Sequence, residues 1–321
     1  MPLDQKIVTV GIDMGGTKIA ACPFVNGQLV KDQELREPTP QNDAEAILQT
    51  MTNMIEELKK TNDIKAVGIS TAGIVSNDGV MIGGCGNIKG WKGTKVKAEL
   101  EKRLGITVEV ENDANCAALA EATVGCAKNY DPVLLVIVGT GIGGGIIWGN
   151  KVWRGANYAG GEIGHIKLTD KKARRCTCGD WDCWEAYASG TGLQNTSHLF
   201  FADPEMDNYK LMDLHHKGDQ TAIDVINQWH DYLALGMASV INTLDPEAVV
   251  VSGGMAQFIN YTKLNKKVRD RVVDALKDKI NILEGSMGND SGMVGAACLA
   301  NFAAQKNGMV RVDLFRKSIL S

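Results

Sequence analysis

Lys6-Ile-Val-Thr-Val-Gly-Ile-Asp-Met-Gly-Gly-Thr-Lys18 is the stretch on which the fold turns. Its first eight residues are an apolar run closed by a carboxylate, Asp13. Two glycines follow, then a hydroxyl and an ammonium. Residues 19–25 resume the apolar pattern, Asn26-Gly27 is a strong two-residue hairpin signal, and residues 28–30 open a third strand. The chain therefore begins as a three-stranded antiparallel meander with a glycine turn between its first two strands. In such a turn, Gly15 and Gly16 let backbone amides approach phosphate oxygens and allow positive φ. Thr17 and Lys18 can donate hydrogen bonds, and Asp13 can hold Mg²⁺ directly or through water. A tight hairpin accounts for the same residues as well as a phosphate turn does.

The pattern continues as α/β. Pro38 and Pro40 mark a loop. Residues 44–60 carry Ile47, Leu48, Met51, Met54, Ile55 and Leu58 at helical spacing. A strand is expected over 64–70 and a helix over 94–104, with Gly105 as its stop. A strand over 106–111 then runs into Asn112-Asp113, which opens a helix over 114–124. Near Tyr130 the order repeats in outline. An apolar strand at 133–138 meets the turn Gly139-Thr-Gly-Ile-Gly-Gly-Gly145, a strand resumes at 146–148, and Gly149-Asn150 turns the chain into Val152-Trp153. Residues 209–243 read as helical. A buried strand at 248–252 ends in Ser252 before Gly253-Gly254. A polar amphipathic helix is expected over 261–279, and residues 292–305, small and apolar, suit a closing helix packed on a sheet. These elements divide into an N-terminal α/β domain, 1–118, and a C-terminal α/β domain, 119–321, whose closing helix could pack back on the first. A nucleotide in the cleft between two such halves is the expectation.

Length and composition fit this. Two domains of ordinary size suit 321 residues, with 44% apolar and 22% charged. A net charge of −4 makes no case for nucleic acid or an anionic membrane as partner. The sequence holds no spanning apolar run and no secretory leader. Eight cysteines, three crowded together and five scattered, suit a cytoplasmic, metal-binding chain better than a disulfide framework.

Three groups of residues carry chemistry. The first is the set of glycine turns: Asp13 to Lys18; Gly139, Thr140, Gly141 and Gly143; and Gly253-Gly254. None has P-loop spacing. One glycine pair after a strand is weak evidence, whereas three at matching places point to a nucleotide. The second is Asn112-Asp113. A plain helix cap explains both residues. The strand before them would nonetheless end at the same sheet edge as Asp13, where ligands of open α/β sheets sit, and a carboxylate there could accept the proton of an attacking hydroxyl. The third is His165, Cys176, Cys178 and Cys183, a Cys₃His set that would fill a structural Zn²⁺ site. One nitrogen of His165 would hold the metal and leave the other for a second partner. Glu162 and Glu185, at fixed offsets from these ligands, are either solvated or held by the metal loop to face a polar small molecule. The basic run at 171–175 is expected to reach solvent.

With these residues assembled, the chain resembles the ROK family of sugar kinases, in the actin-like hexokinase superfamily with its ribonuclease H-like halves. The resemblance runs from Asp13-Met-Gly-Gly-Thr-Lys18 to the helix containing Gly295-Ala-Ala. It is most specific at Glu162-x-Gly-His165 and Cys176-x-Cys-Gly-x-x-x-Cys183-x-Glu185. It implies two phosphate motifs in the first two glycine turns and an adenosine motif in Ser252-Gly-Gly254. It also implies Asp113 as catalytic base, with Asn87, Asn112, Glu162, His165 and Glu185 contacting sugar hydroxyls. The implied reaction is transfer of the γ-phosphate of ATP, with Mg²⁺, to the 6-OH of glucose, in a homodimer or homotetramer. Some residues depart from the family pattern. Ser70-Thr-Ala-Gly73 replaces a Pro-Gly loop and is closer to N-acetylmannosamine kinases. Asp182 stands where Gly is usual and Trp184 where an aliphatic is usual. N-acetylmannosamine is therefore the chief rival to glucose, ahead of mannose, fructose or allose. Family repressors carry a DNA-binding helix-turn-helix ahead of the first strand, and here that strand is expected near Lys6. Intact phosphate turns and Asp113 argue against a non-catalytic sugar sensor.

Overall fold

The computed structural model describes residues 2–4, 6–41, 43–84 and 90–308. The chain forms two units, Met1–Val124 with Asp290–Ser321, and Gly125–Asn289. The boundary expected after residue 118 falls inside a helix. The chain leaves the first unit only when that helix ends.

In the first unit, β1 (Val8–Met14) pairs antiparallel with β2 (Lys18–Val25), and β2 pairs with β3 (Gln28–Leu29). A further strand, β4 (Leu35–Pro38), also pairs with β2. The prolines concealed it. Pro38 is tolerated because it ends the strand at an edge, where a missing N–H costs no ladder bond. Helix α1 (Ala44–Lys59) is capped by Asp43, whose side chain accepts the Ala46 amide. It buries the six apolar residues that its periodicity singles out. Strand β5 (Ile64–Thr71) runs parallel to β1, and a small hairpin, β6 (Ile74–Val75) and β7 (Met81–Gly83), follows it. Helix α2 (Val96–Leu104) stops at Gly105, which takes φ +67°. Strand β8 (Thr107–Asn112) joins β5 in parallel, and α3 (Asp113–Thr123) follows at once. The sheet order is β3-β2-β1-β5-β8.

The second unit repeats that order as β11-β10-β9-β12-β13. Strands β9 (Val133–Val138), β10 (Ile142–Trp148) and β11 (Lys151–Val152) form the antiparallel side. Helices α4 (Glu185–Ala188), α5 (Gly190–Phe201), α6 (Asn208–His216) and α7 (Gln220–Leu244) come next. The single helical stretch expected over 209–243 is two helices, because Gly218 takes φ +83° and Asp219 caps the second through the Ala222 amide. Strand β12 (Ala248–Ser252) pairs parallel with β9, then comes α8 (Tyr261–Arg269), then β13 (Asn281–Glu284) parallel to β12. Helix α8 is shorter than the expected 261–279. Beyond its end, the Val273 amide donates to Asn242 Oδ1 of α7, so the helical ladder does not resume there.

Helix α9 (Ser291–Gly308) returns to the first unit and packs on β1, β5 and α3. A side chain on Gly295 would overlap the Cys116 carbonyl, and one on Gly68 would overlap that of Ala296. Only hydrogen at these positions allows so close an approach. Each unit has its own apolar core. Ile12, Ile55, Ile69 and Trp91 belong to the first and Leu135, Trp184, Trp229 and Met237 to the second, all fully or almost fully buried.

Candidate functional site

The first unit gathers Asp13, the turn after it, Asn112 and Asp113 at one sheet edge. The strand register does this. Asp13 of β1 pairs with Ser70 of β5, and Ser70 pairs with Glu111 of β8. One step on, Met14, Thr71 and Asn112 align. Three parallel strands therefore end together, and Asp113 begins the helix that leaves that edge.

In the turn, the carbonyls of Gly15 and Gly16 accept from Thr39 Oγ1 at 2.7 Å and Gln41 Nε2 at 3.1 Å, and the Thr17 carbonyl accepts the Thr39 amide at 3.1 Å. A trans peptide points its N–H opposite its C=O. The amides of Gly16, Thr17 and Lys18 therefore point away from the 39–41 loop, and these three residues are exposed. A run of outward amides with one lysine is what an anionic phosphate needs.

Asn112 is the cap of α3. Its Oδ1 accepts from the Ala114 and Asn115 amides at 2.9 and 3.1 Å, and its Nδ2 donates to the Gly73 carbonyl at 3.0 Å. The plain helix-cap reading is therefore correct for Asn112, and only its amide hydrogens have capacity for a sugar. Asp113 Oδ1 accepts from the Ala114 amide at 2.8 Å. Burial raises the Asp113 carboxyl above its ordinary value, the Ala114 hydrogen bond pulls it part of the way back, and the negative charge of Asp13 adds to the rise. Asp13 is itself raised by burial, offset by Ser70 and Lys18. Sequence reasoning missed Gly292, at the start of α9. Its α-carbon comes so close that a Cβ there would lie 2.8 Å from Ser70 Oγ and 3.0 Å from Asp13 Oδ1. Asn87 lies outside the described residues.

The second unit holds Glu162, His165, Glu185, the cysteines and the other glycine turns. One ligand atom from each of His165, Cys176, Cys178 and Cys183 lies within 4.8 Å of all the others. His165 Nδ1 is 3.7 Å from Cys176 Sγ, and Cys178 Sγ is 3.7 Å from Cys183 Sγ. A tetrahedron with metal–sulfur bonds of about 2.3 Å has edges of about 3.8 Å. The donor set therefore fits Zn²⁺ in both chemistry and spacing. Cys178 is exposed, so the set lies near the surface of its unit. His165 Nε2 lies 3.7 Å from Glu162 Oε2. The two ring nitrogens thus face different partners.

Glu185 is more engaged than expected. Its Oε2 accepts the Ile142 amide at 3.0 Å and its Oε1 accepts the Thr177 hydroxyl at 2.7 Å. The seven-residue glycine run divides between two tasks. A Cβ on Gly141 would overlap Glu185 Oε2, and one on Gly144 would meet Gly161 and Ile163. Gly143 and Gly144 lie within β10, so the turn proper is Gly139-Thr140-Gly141. The glycines beyond it let the Glu162–His165 segment lie on the strand. Gly253, at φ +96°, sits against the Val138 carbonyl, while a side chain on Gly254 would meet nothing. The basic run differs from expectation, because Arg174 turns inward and donates to the Ala186 and Gly192 carbonyls.

The ROK family matches residues 9–303. The chain belongs to the ROK family. It is 33% identical over 303 residues to an N-acetyl-D-glucosamine kinase of Citrobacter koseri, covering 90% of this chain and 98% of that one. The solved ROK hexokinase of Thermus thermophilus superposes with a TM-score of 0.83 at 32% identity, over 94% of this chain and all of the other. A ROK glucokinase of Streptomyces griseus, solved with glucose and AMPPNP, superposes with a TM-score of 0.73 at 31% identity, over 92% and 99% of the two chains. This ROK chain thus shares the actin-like hexokinase fold of both solved relatives.

Proposed function

We propose that this ROK protein transfers the γ-phosphoryl group of ATP to the 6-OH of glucose. ATP-dependent sugar kinase activity rests on family membership together with kinases among its relatives at 31–33% identity. The observation that supports the assignment of roles is the register row Asp13–Ser70–Glu111, which sets Asp113 and the phosphate turn at one strand edge. Asp113 takes the proton of the attacking hydroxyl. The hydroxyl oxygen bonds to the γ-phosphorus as the bridging P–O bond breaks, and ADP leaves with that electron pair. The amides of Gly16, Thr17 and Lys18 in the first unit hold phosphate oxygens, as do those of Thr140 and Gly141 in the second, and Gly253-Gly254 leaves room for the nucleoside. Mg²⁺, held through Asp13, would neutralise charge on the phosphates. The carboxylates of Asp13 and Asp113 each feel burial, and Asp113 feels the charge of Asp13, which favours a cation between nucleotide and protein. Glu162, His165 and Glu185 orient the sugar, and Zn²⁺ held by His165, Cys176, Cys178 and Cys183 would fix the loop that carries them.

An N-acetylhexosamine is the second reading. It is favoured by the N-acetyl-D-glucosamine kinase of Citrobacter koseri and by Ser70-Thr-Ala-Gly73 in place of a Pro-Gly loop. The test is ADP release over a panel of glucose, mannose, fructose, allose, N-acetylglucosamine and N-acetylmannosamine. Glucose is expected to have the highest kcat/KM. A higher value for either N-acetyl sugar overturns the glucose assignment, and no turnover of any of them overturns hexose kinase activity.

A further inference from the structure

The metal loop has a second fastening that uses none of the four metal ligands. Asp182 is 1% exposed and takes φ +57°, a backbone region costly for any residue but glycine. Its Oδ1 accepts from the Ala173 amide at 3.0 Å, the Arg174 amide at 2.8 Å and the Tyr187 hydroxyl at 2.7 Å. Its own amide donates to the Arg174 carbonyl at 2.8 Å. Arg174 then reaches inward. One guanidinium nitrogen donates to the Ala186 and Gly192 carbonyls, each at 3.2 Å, and another to Thr196 Oγ1 at 3.0 Å. Its Cζ lies 4.4 Å from the centre of the Tyr187 ring and 5.5 Å from that of Tyr232. Ala186 and Tyr187 belong to the four-residue helix whose first residue is Glu185.

We propose that Asp182 and Arg174 are positioning residues that hold Glu185 in place for the sugar independently of the metal. The reasoning is geometric. The chain from 166 to 175 lies between the first and second metal ligands, so the metal restrains only its ends. The carboxylate of Asp182 ties down Ala173 and Arg174, toward the second of those ends, through contacts that involve none of the four metal ligands. Arg174, anchored by the same contacts, grips both carbonyls and one ring around Glu185. A buried carboxylate with three donors repays the strained backbone that carries it. The functional half of this inference rests on the sugar-kinase reading, and the structural half does not.

Two measurements test it. In the first, amide hydrogen exchange at Ala173 and Arg174 is followed in metal-stripped wild type and in metal-loaded Asp182→Asn. Protection is expected to persist in the stripped wild type and to fall about tenfold or more in the variant. Equal loss on stripping would mean that the metal alone orders this span, and the clamp falls. In the second, Asp182→Asn and the milder Arg174→Lys are assayed with the best hexose. Each is expected to keep a full complement of metal, to raise the hexose KM about tenfold, the loss of about 1.4 kcal/mol of binding, and to leave the ATP KM unchanged. Parallel rises in both KM values, or metal lost in step with activity, would make the contacts merely structural. If wild type phosphorylates no sugar, the kinase reading fails and the exchange experiment still decides the clamp.

Discussion

Asp113 shows how one side chain carries two constraints. It opens α3, accepting the next amide, and it sits where burial and the charge of Asp13 raise its carboxyl. A base must be ionised to accept a proton. Raising its pKa moves the acid limb of the rate profile upward, so activity is lost as pH falls through a value above the ordinary 3.8 of an aspartate. A pH profile of kcat/KM checks this, and a limb at or below 3.8 would exclude Asp113 as the titrating group. Asp113→Asn is expected to lower kcat by about 10²–10⁴-fold, the usual worth of a general base, with the hexose KM little changed. Gly141→Ala addresses the other unit. Its added methyl occupies the place of Glu185 Oε2, which must let go of the Ile142 amide. The expected readout is a higher hexose KM, and an unchanged KM would show that Glu185 does not touch the sugar.

At the scale of elements, the departures from the family pattern in the metal loop are explained by their neighbours. Trp184 is fully buried and its Nε1 donates to the Tyr232 carbonyl at 2.9 Å. The ring fits because α7 presents Gly236 to it, and a Cβ there would overlap the indole. Gly236→Ala is expected to cost about 1–3 kcal/mol by overpacking, read as a lower midpoint in urea. Trp184→Leu frees that space. In a double-mutant cycle the pair should cost less than the sum of the two single changes, and strict additivity would refute the contact. Element boundaries missed in the sequence share one cause. Past the end of α8 the Val273 amide goes to a side chain on α7 instead of continuing the helix, and β4 pairs with the edge that β2 offers. Both partners lie beyond the reach of local periodicity.

The whole molecule is two units with the same strand order and separate cores, and the proposed metal set lies entirely in the second. Metal analysis is expected to find one Zn²⁺ per chain. Stripping it should speed amide exchange at residues 176–180 and raise the hexose KM. Exchange in β1, β5 and α9, and the fluorescence of Trp91 in the first core, should stay as they were. Equal loosening of both units would mean that the metal supports the entire fold. The first unit has another kind of closure. Helix α9 arrives from the far end of the chain and packs, through Gly295 and Gly68, where no bulkier residue fits. Among the described residues, no helix is long and apolar enough to cross a membrane.

Local chemistry was legible without coordinates. The alternation of residues 8–25, the periodicity of α1, the stop at Gly105 and the Cys₃His spacing each depend on nearby residues, so the sequence alone determined the α/β class, the repeated strand–turn–strand plan and the candidate metal set. The tertiary structure decided what depends on distant partners. It divided the glycines after Val138 between a turn and a packing face. It made Asn112 a cap first, turned Arg174 inward, and brought Gly292 beside Asp13 from nearly three hundred residues away. A glycine, an asparagine or an arginine offers several contacts of similar energy. Which one it makes is settled only when the fold brings the competing partner within reach.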